Sequence, residues 1–191
     1  MEVILSYESF AGKGNGSYPL AVASMIGNNI RLDSDYILRY SGNVRAELTG
    51  ILYHESTHVW QWNGNGMAPS GLVTGIADYM RLKAGWPKRG LGLRWDEGYA
   101  ITVYFLEYCD GLRDGFVADL NAMMKYTYSD SFFVQLLGKM CMNCGMTISR
   151  HMRAMHRHRH PLWHRHRHLL LRLHIQHTNG SRIYCIREVR L

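Results

Sequence analysis

The chain has 191 residues, of which 47% are hydrophobic and 12% aromatic, so it can bury one sizeable core and is expected to form a single domain. No run approaches the roughly 20 apolar residues that a membrane-spanning helix needs, and residues 1–7 show no secretory signal. The formal charge of +7 comes from the end of the chain: residues 140–191 hold ten arginines and one glutamate, whereas residues 1–139 hold 12 Lys or Arg against 14 Asp or Glu. A membrane span and a uniformly basic surface are therefore not expected.

The histidines change in frequency at the same place as the charge. Nine of the 11 histidines lie between His151 and His177. We therefore place a boundary near Lys139, with a folded domain over residues 1–139. Residues 140–191 form a His- and Arg-rich tail that is predicted to be disordered or partly helical.

The first elements in chain order are short strands. Glu2–Tyr7 is predicted as a strand, and so is Asn29–Leu32, which we expect at the edge of a small N-terminal sheet. Such an edge can hold an extended peptide by main-chain pairing, and it can equally be an ordinary sheet edge. Tyr36–Tyr40 is predicted to form a helical turn.

A HExxH motif follows, on a predicted helix that begins near Val44 and ends before Trp62. Helical spacing places His54 and His58 one above the other, so both imidazoles can reach one zinc ion. Glu55 then lies beside the metal, where it can take a proton from water, which is the chemistry of zinc-dependent peptide hydrolysis. The alternative is a chance pair of surface histidines. One stripe of the helix is apolar apart from a glutamate, and consists of Leu48, Ile51, Leu52, Glu55 and Val59.

A second helix is predicted to follow Ser70, which we interpret as its N-cap. A zinc site needs a third protein ligand. Nineteen residues separate His58 from Asp78, which lies on the side of this helix that it shares with Thr74 and Arg81. Three roles remain open for Asp78: a zinc ligand, a carboxylate that orients a ligand histidine, or a solvated surface charge. The opposite, buried side is predicted to consist of Leu72, Val73, Ile76 and Met80.

Three further helices are predicted before the tail. A buried helix over Ile101–Leu106 ends near Cys109, with Asp96 as its N-cap. Glu97 would lie in the first turn of that helix, where the helix dipole favours a carboxylate. It is also a reserve candidate for a zinc ligand. Two amphipathic helices are predicted over residues 116–124 and 131–137.

The tail allows several interpretations. Cys141 and Cys144 have metal-ligand spacing but lack a second pair. The repeated His-Arg sequence at residues 156–160 and 164–168 could bind nucleic acid or anionic membranes, or it could be an appendage without a packed structure. Four cysteines permit three full pairings, and the sequence does not choose among them.

These elements predict an α+β, helix-dominated, zincin-like domain with a small N-terminal sheet and the HExxH helix at its centre. The predicted function is zinc-dependent hydrolysis of peptide bonds, with Glu55 as the base and His54, His58 and Asp78 as zinc ligands. We expect a peptide or protein substrate, a monomer, and no nucleic-acid partner.

Several blocks of the sequence resemble the plant basic secretory proteins, a family of plant and bacterial zinc metallopeptidases. The resemblance covers roughly residues 20–139 and implies an extracellular, apoplastic protein related to plant defence. The blocks that carry it are Tyr40-Ser41-Gly42, Leu52 to Glu55, His58 to Gly66, Gly75 to Tyr79, Arg81 to Gly85 and Leu136 to Lys139.

One departure from the family pattern concerns the metal site. The resemblance implies a glutamate as third ligand at the position of Thr74, whose hydroxyl is a poor zinc ligand. If Asp78 does not replace it, the chain is a catalytically impaired member that acts as a defence-related binding protein. A second alternative is metal or polyanion binding through the tail.

Overall fold

The computed structural model describes residues 3–11, 22–86, 96, 98–138, 172–178 and 181–187. Helices dominate the described chain and accompany a small three-stranded sheet, which confirms the predicted α+β class. Among these residues, none of the helices has the length and apolar character required to cross a bilayer.

Eleven helices and strands are present in the described residues. They are β1 (Ile4–Glu8), β2 (Ala23–Ile26), β3 (Asn29–Asp33), α1 (Ser34–Arg39), α2 (Val44–Trp60), α3 (Ser70–Lys83), α4 (Tyr99–Leu112), α5 (Phe116–Met123), α6 (Ser131–Leu137), β4 (Arg172–Thr178) and β5 (Ser181–Arg187).

The chain divides into two compact units. The first consists of residues 1–59 together with 167–191, and the second of residues 60–166. The division falls one residue before the end of α2, between Val59 and Trp60.

The sheet of the first unit has the order β1-β3-β2. Strands β1 and β3 are parallel, with Leu5 opposite Ile30, and β2 and β3 are antiparallel, with Ala23 opposite Leu32. Strand β3 is therefore central, and the prediction of a sheet edge at Asn29–Leu32 is wrong. The cause is β2, a strand that the sequence did not predict, which turns at Gly27 (φ +61°) and pairs with β3.

Helix α2 packs on this sheet through its apolar stripe. Ile51 and Leu52 are buried with side chains of all three strands, and Leu48 and Val59 are partly buried against them. The helix begins where the sequence predicted. Asn43 precedes the first turn, and its Oδ1 accepts a hydrogen bond from the backbone N–H of Ala46 at 3.1 Å.

The core of the second unit lies between helices α3 to α6. Its fully buried side chains include Leu72 on α3, Phe105 on α4, Phe116 on α5 and Phe133 on α6. The rings of Phe105 and Phe116 each lie within 6 Å of the Phe133 ring, with centroid distances of 5.5 and 5.7 Å. These tilted aromatic contacts join three of the four helices.

Two predicted helix caps are corrected by the structure. Helix α3 has Pro69 at its N-cap and begins at Ser70. Helix α4 begins at Tyr99 with Gly98 at its N-cap, so Asp96 is not the cap. Gly98 has φ +85° and donates its N–H to Thr102 Oγ1 at 2.8 Å, and glycine adopts this backbone conformation without the strain that a side chain would add.

The described part of the C-terminal tail consists of the two strands β4 and β5. They pair antiparallel, with Arg172 opposite Arg187 and Thr178 opposite Ser181. This differs from the disordered or partly helical structure predicted for residues 140–191. Glu97, the Cys141-x-x-Cys144 pair and the His-Arg repeats of residues 156–168 lie outside the described residues.

Candidate metal and catalytic site

Helix α2 brings two imidazoles together by its own geometry. The Nε2 atoms of His54 and His58 are 3.2 Å apart. The two ring centroids are 4.9 Å apart, and the ring planes make an angle of 85°. Both side chains are half-buried, so they are supported by the protein and also reachable from solvent.

This separation suits two ligands of one zinc ion. Zn–N distances of 2.0–2.1 Å at a tetrahedral angle place two nitrogen ligands about 3.3 Å apart. The same 3.2 Å also suits a hydrogen bond between one protonated and one unprotonated Nε2. The residues present therefore fit two zinc ligands, and the pair alone does not distinguish a metal site from a histidine hydrogen bond.

Glu55 lies next to His54 on α2 and is only 8% exposed. A buried carboxylate needs polar partners to remain charged, and Glu55 has at least one such interaction. Its position along the helix agrees with the role of a base beside a metal held by the two histidines.

Helix α3 carries a buried pair of opposite charges three residues apart. Asp78 is 3% exposed and Arg81 is 5% exposed. The Nε of Arg81 donates to the carbonyl oxygen of Trp86 at 2.8 Å, and both charged residues have further interactions. The interpretation of Asp78 as a solvated surface charge is therefore wrong, which leaves a zinc ligand or a carboxylate that orients a histidine.

The prediction that one side of α3 is polar and exposed was also wrong. Leu72 and Ile76 are buried as expected, but the side predicted to be polar is buried too. Thr74 on that side is half-buried. Helix α4 lies close to α3 at Gly75, where a Cβ atom would meet the side chain of Thr102.

A complete ligand set is not assembled within the described residues. In that part of the chain, no three side chains of histidine, cysteine, aspartate or glutamate come together as a group that could hold a metal ion. His54 and His58 belong to the first unit and Asp78 to the second. The third ligand therefore stays a prediction.

The segment that follows α2 contains a contact that sequence reasoning missed. Gln61 donates its side-chain Nε2–H to the carbonyl oxygen of Val73, in the first turn of α3, at 2.8 Å. The only signal in the sequence is an amide residue between two tryptophans directly after the helix. A hydrogen bond to a distant backbone carbonyl leaves no periodic pattern by which it could be predicted.

Comparison with known proteins shows the family. A family model described as "Peptidase of plants and bacteria" (BSP) matches residues 18–144. The chain belongs to this peptidase family. The match confirms the resemblance to the basic secretory proteins and includes α2 with its HExxH residues and the whole of α3.

Neither the comparison with curated proteins nor that with solved structures gave a match. The BSP family match is thus the finding from these comparisons that bears on activity. It supports a peptidase in general terms.

Proposed function

We propose that this BSP family member is a zinc-dependent peptidase that acts on peptide or protein substrates. His54, His58 and Asp78 hold the zinc ion, and Glu55 is the general base. The observation that carries the proposal is the 3.2 Å separation of the two imidazole nitrogens on α2, in a chain whose family is one of peptidases.

The chemistry is divided between the metal and the protein. A bound zinc ion would polarise the scissile carbonyl and increase the acidity of a nearby water. Glu55 accepts a proton from the attacking water and delivers it to the leaving amine. The two half-buried histidines orient the metal, and their accessibility to solvent leaves room for the substrate.

The substrate backbone would pair with β2 and not with β3. Strand β3 already has a neighbour on each side, so it cannot accept another strand. In the described part of the sheet β2 has one neighbour, β3, and its last residue Ile26 is 63% exposed. An extended peptide could therefore add to the free side of β2 by main-chain hydrogen bonds.

A Glu55→Gln variant of the full chain tests the catalytic assignment. Glutamine keeps the size of the side chain but cannot accept the proton, so we expect zinc to remain bound and hydrolysis to be lost. Zinc content and cleavage of a peptide mixture are measured on the same sample. Cleavage at the parental rate by this variant would show that Glu55 is not the base.

The histidines of the tail could bind zinc on their own, so metal content needs a matched control. The double variant His54→Ala, His58→Ala retains all nine tail histidines. The proposal expects the parent to hold one more zinc ion per chain than this variant. Equal zinc content in the two proteins would contradict a metal site on α2.

A catalytically impaired binding protein is the second candidate. It is favoured by the absence of a three-residue ligand group among the described residues and by Thr74 at the position where the family resemblance implies glutamate. A Thr74→Glu variant separates the two candidates. If zinc binds at α2 only in Thr74→Glu, the parent is the impaired form, whereas one zinc at α2 in the parent supports the enzyme.

The extracellular location and the relation to plant defence, which the resemblance implies, stay predictions. Binding of metals or polyanions by the His- and Arg-rich tail also stays a prediction, because residues 156–168 lie outside the described part of the chain.

A further inference from the structure

Two short segments of the second unit carry an exposed aromatic surface: residues 62–67, which follow α2, and residues 125–128, which follow α5. Trp62 is 44% exposed and Tyr126 is 69% exposed. The ammonium group of Lys125 lies over both rings, with its Nζ 5.5 Å from the Trp62 centroid and 5.0 Å from the Tyr126 centroid. Both are cation–π distances. We call Trp62, Lys125 and Tyr126 the aromatic platform.

The aromatic platform is held in place by the backbone beneath it. The N–H of Trp62 donates to Asn121 Oδ1 at 2.9 Å, and Asn65 donates its Nδ2–H to the carbonyl oxygen of Tyr126 at 2.8 Å. At Gly64 the two segments approach so closely that an added Cβ atom would lie 2.8 Å from the backbone of the second segment. The rings are therefore positioned before any ligand arrives, which lowers the entropy cost of binding.

Lys125 brings a positive charge to this surface without a negative partner. Lys83 makes the same kind of ring contact, with Tyr79 at 5.1 Å, and in addition has the carboxylate of Asp110 at 3.8 Å. Among the residues that the structure describes, Lys125 makes no ion pair with a carboxylate. A ligand that carries its own carboxylate would supply this partner in a charge-assisted hydrogen bond.

The surroundings of Lys125 suit a sugar better than a protein partner. A sugar ring has C–H groups on its face, which stack on aromatic rings, and hydroxyl groups at its edge. Asn63, Asn65 and Thr127 are exposed on the same two segments, and their amide and hydroxyl groups both donate and accept hydrogen bonds. Lysine is depleted at the centres of protein–protein interfaces, whereas Lys125 is the residue that contacts both rings of the platform.

We propose that the aromatic platform binds an acidic polysaccharide, one that contains uronic acids. Trp62 and Tyr126 stack on the C–H faces of the sugar rings, and Lys125 pairs with a uronic-acid carboxylate. The site lies within the second unit, and none of its residues has a role in the proposed zinc chemistry. A protein that binds in this way is held at an acidic polysaccharide whether or not it cleaves peptides.

Isothermal titration calorimetry of the full chain with an oligomer of galacturonic acid tests the proposal. A neutral galactose oligomer of equal length shows the contribution of the carboxylates, and polyglutamate of equal charge shows whether carboxylates without sugar rings are sufficient. The arginines of the tail could also bind the acidic oligomer. Every variant keeps the tail, so a difference from the parent reports on the platform. Circular dichroism checks that each variant is folded.

Two substitutions remove the two kinds of contact. Lys125→Met should raise the Kd for the acidic oligomer by about 10-fold, since a hydrogen bond between charged groups contributes about that much. Trp62→Leu should raise it by about fivefold through loss of stacking. Lys125→Arg and Trp62→Phe, which keep the charge and the ring, should recover most of the affinity. Lys83→Met is the matched control, because it also removes a lysine that lies over a ring, and it should change the Kd by less than about twofold.

Several results would overturn the proposal. Parental affinity in either Lys125→Met or Trp62→Leu would mean that the acidic oligomer binds elsewhere. An equal loss in Lys83→Met and Lys125→Met would show a general effect of charge and not a site. Equal affinity of the parent for the neutral oligomer or for polyglutamate would show that the platform does not recognise acidic sugars, as would failure of the parent to bind the acidic oligomer.

Discussion

The close crossing of α3 and α4 at Gly75 gives a sharp test of how α3 is held. A Cβ atom added at Gly75 would lie 2.5 Å from Thr102 Cβ and still closer to Thr102 Cγ2. Thr102 is fully buried, so its side chain has no free space to enter. The helices would have to separate by roughly 1 Å to restore carbon contacts of about 3.5 Å.

The expected cost of Gly75→Ala is the difference between two effects. Overpacking of a tight core typically costs about 1–3 kcal/mol, and replacing a helical glycine by alanine returns about 1 kcal/mol. We expect a net loss of about 0–2 kcal/mol in the free energy of unfolding, which is about 1–3 kcal/mol less favourable than the gain from helix propensity alone.

Gly111 on α4 provides the matched control. A Cβ atom there would meet nothing within 4 Å, so Gly111→Ala should gain about 0.5–1 kcal/mol from helix propensity alone. Urea denaturation followed by circular dichroism measures both variants. If Gly75→Ala were as stable as Gly111→Ala, the close approach of α3 and α4 would not exist in the protein.

Two further substitutions test other contacts. Burial, followed by the hydrogen bond to Asp110 and the charge of that carboxylate, raises the pKa of Tyr79 above its usual value. Above about pH 10 the unfolded chain therefore releases a proton that folded Tyr79 retains, and this residue should lower the free energy of unfolding by about 1.4 kcal/mol per pH unit. Tyr79→Phe should lose that alkaline slope in denaturation measured from pH 9 to 11.5; an unchanged slope would contradict the raised pKa. Asn43→Ala removes the cap of α2 and should lower the free energy of unfolding by about 1 kcal/mol, measured by thermal unfolding. Asn43→Ser keeps a capping oxygen and should cost much less. Equal losses of stability in the two variants would argue against a capping role.

The parts of the structure that the sequence predicted well depend on local patterns. Helix α2 and its apolar stripe follow from residues three and four positions apart, and the same spacing brings His54 and His58 together without any help from the rest of the fold. Helices α5 and α6 were also predicted within one residue of their observed bounds. Each of these features is set by neighbours on one helix.

The parts that were missed depend on contacts between distant segments. The central position of β3 follows from its pairing with β2 and β1, which no local pattern specifies. Asp78 and Arg81 are charged residues on an otherwise amphipathic helix, so their burial could not be read from the period of α3. Whether Asp78 can serve as a ligand belongs to this class, since it depends on how α3 is packed and not on its sequence alone.

The burial of Asp78 on α3 leads to a prediction about zinc and stability. If Asp78 is a ligand, zinc links α2 to α3, and a concentration 100-fold above Kd should raise the free energy of unfolding by about 2.7 kcal/mol. In Asp78→Asn the rise should be much smaller, because a neutral amide oxygen is a weaker zinc ligand than a carboxylate. Chemical denaturation with and without zinc measures the rise, taken relative to His54→Ala, His58→Ala.

Asp110→Asn is the matched control for this measurement. It also replaces a carboxylate of the second unit by an amide and weakens the contacts with Tyr79 and Lys83, so it should lower the stability of the metal-free protein. It should nevertheless keep the full rise with zinc, because Asp110 has no role at the metal. A full rise in Asp78→Asn as well would mean that the histidine pair binds zinc without α3, and that Asp78 is buried for structural reasons.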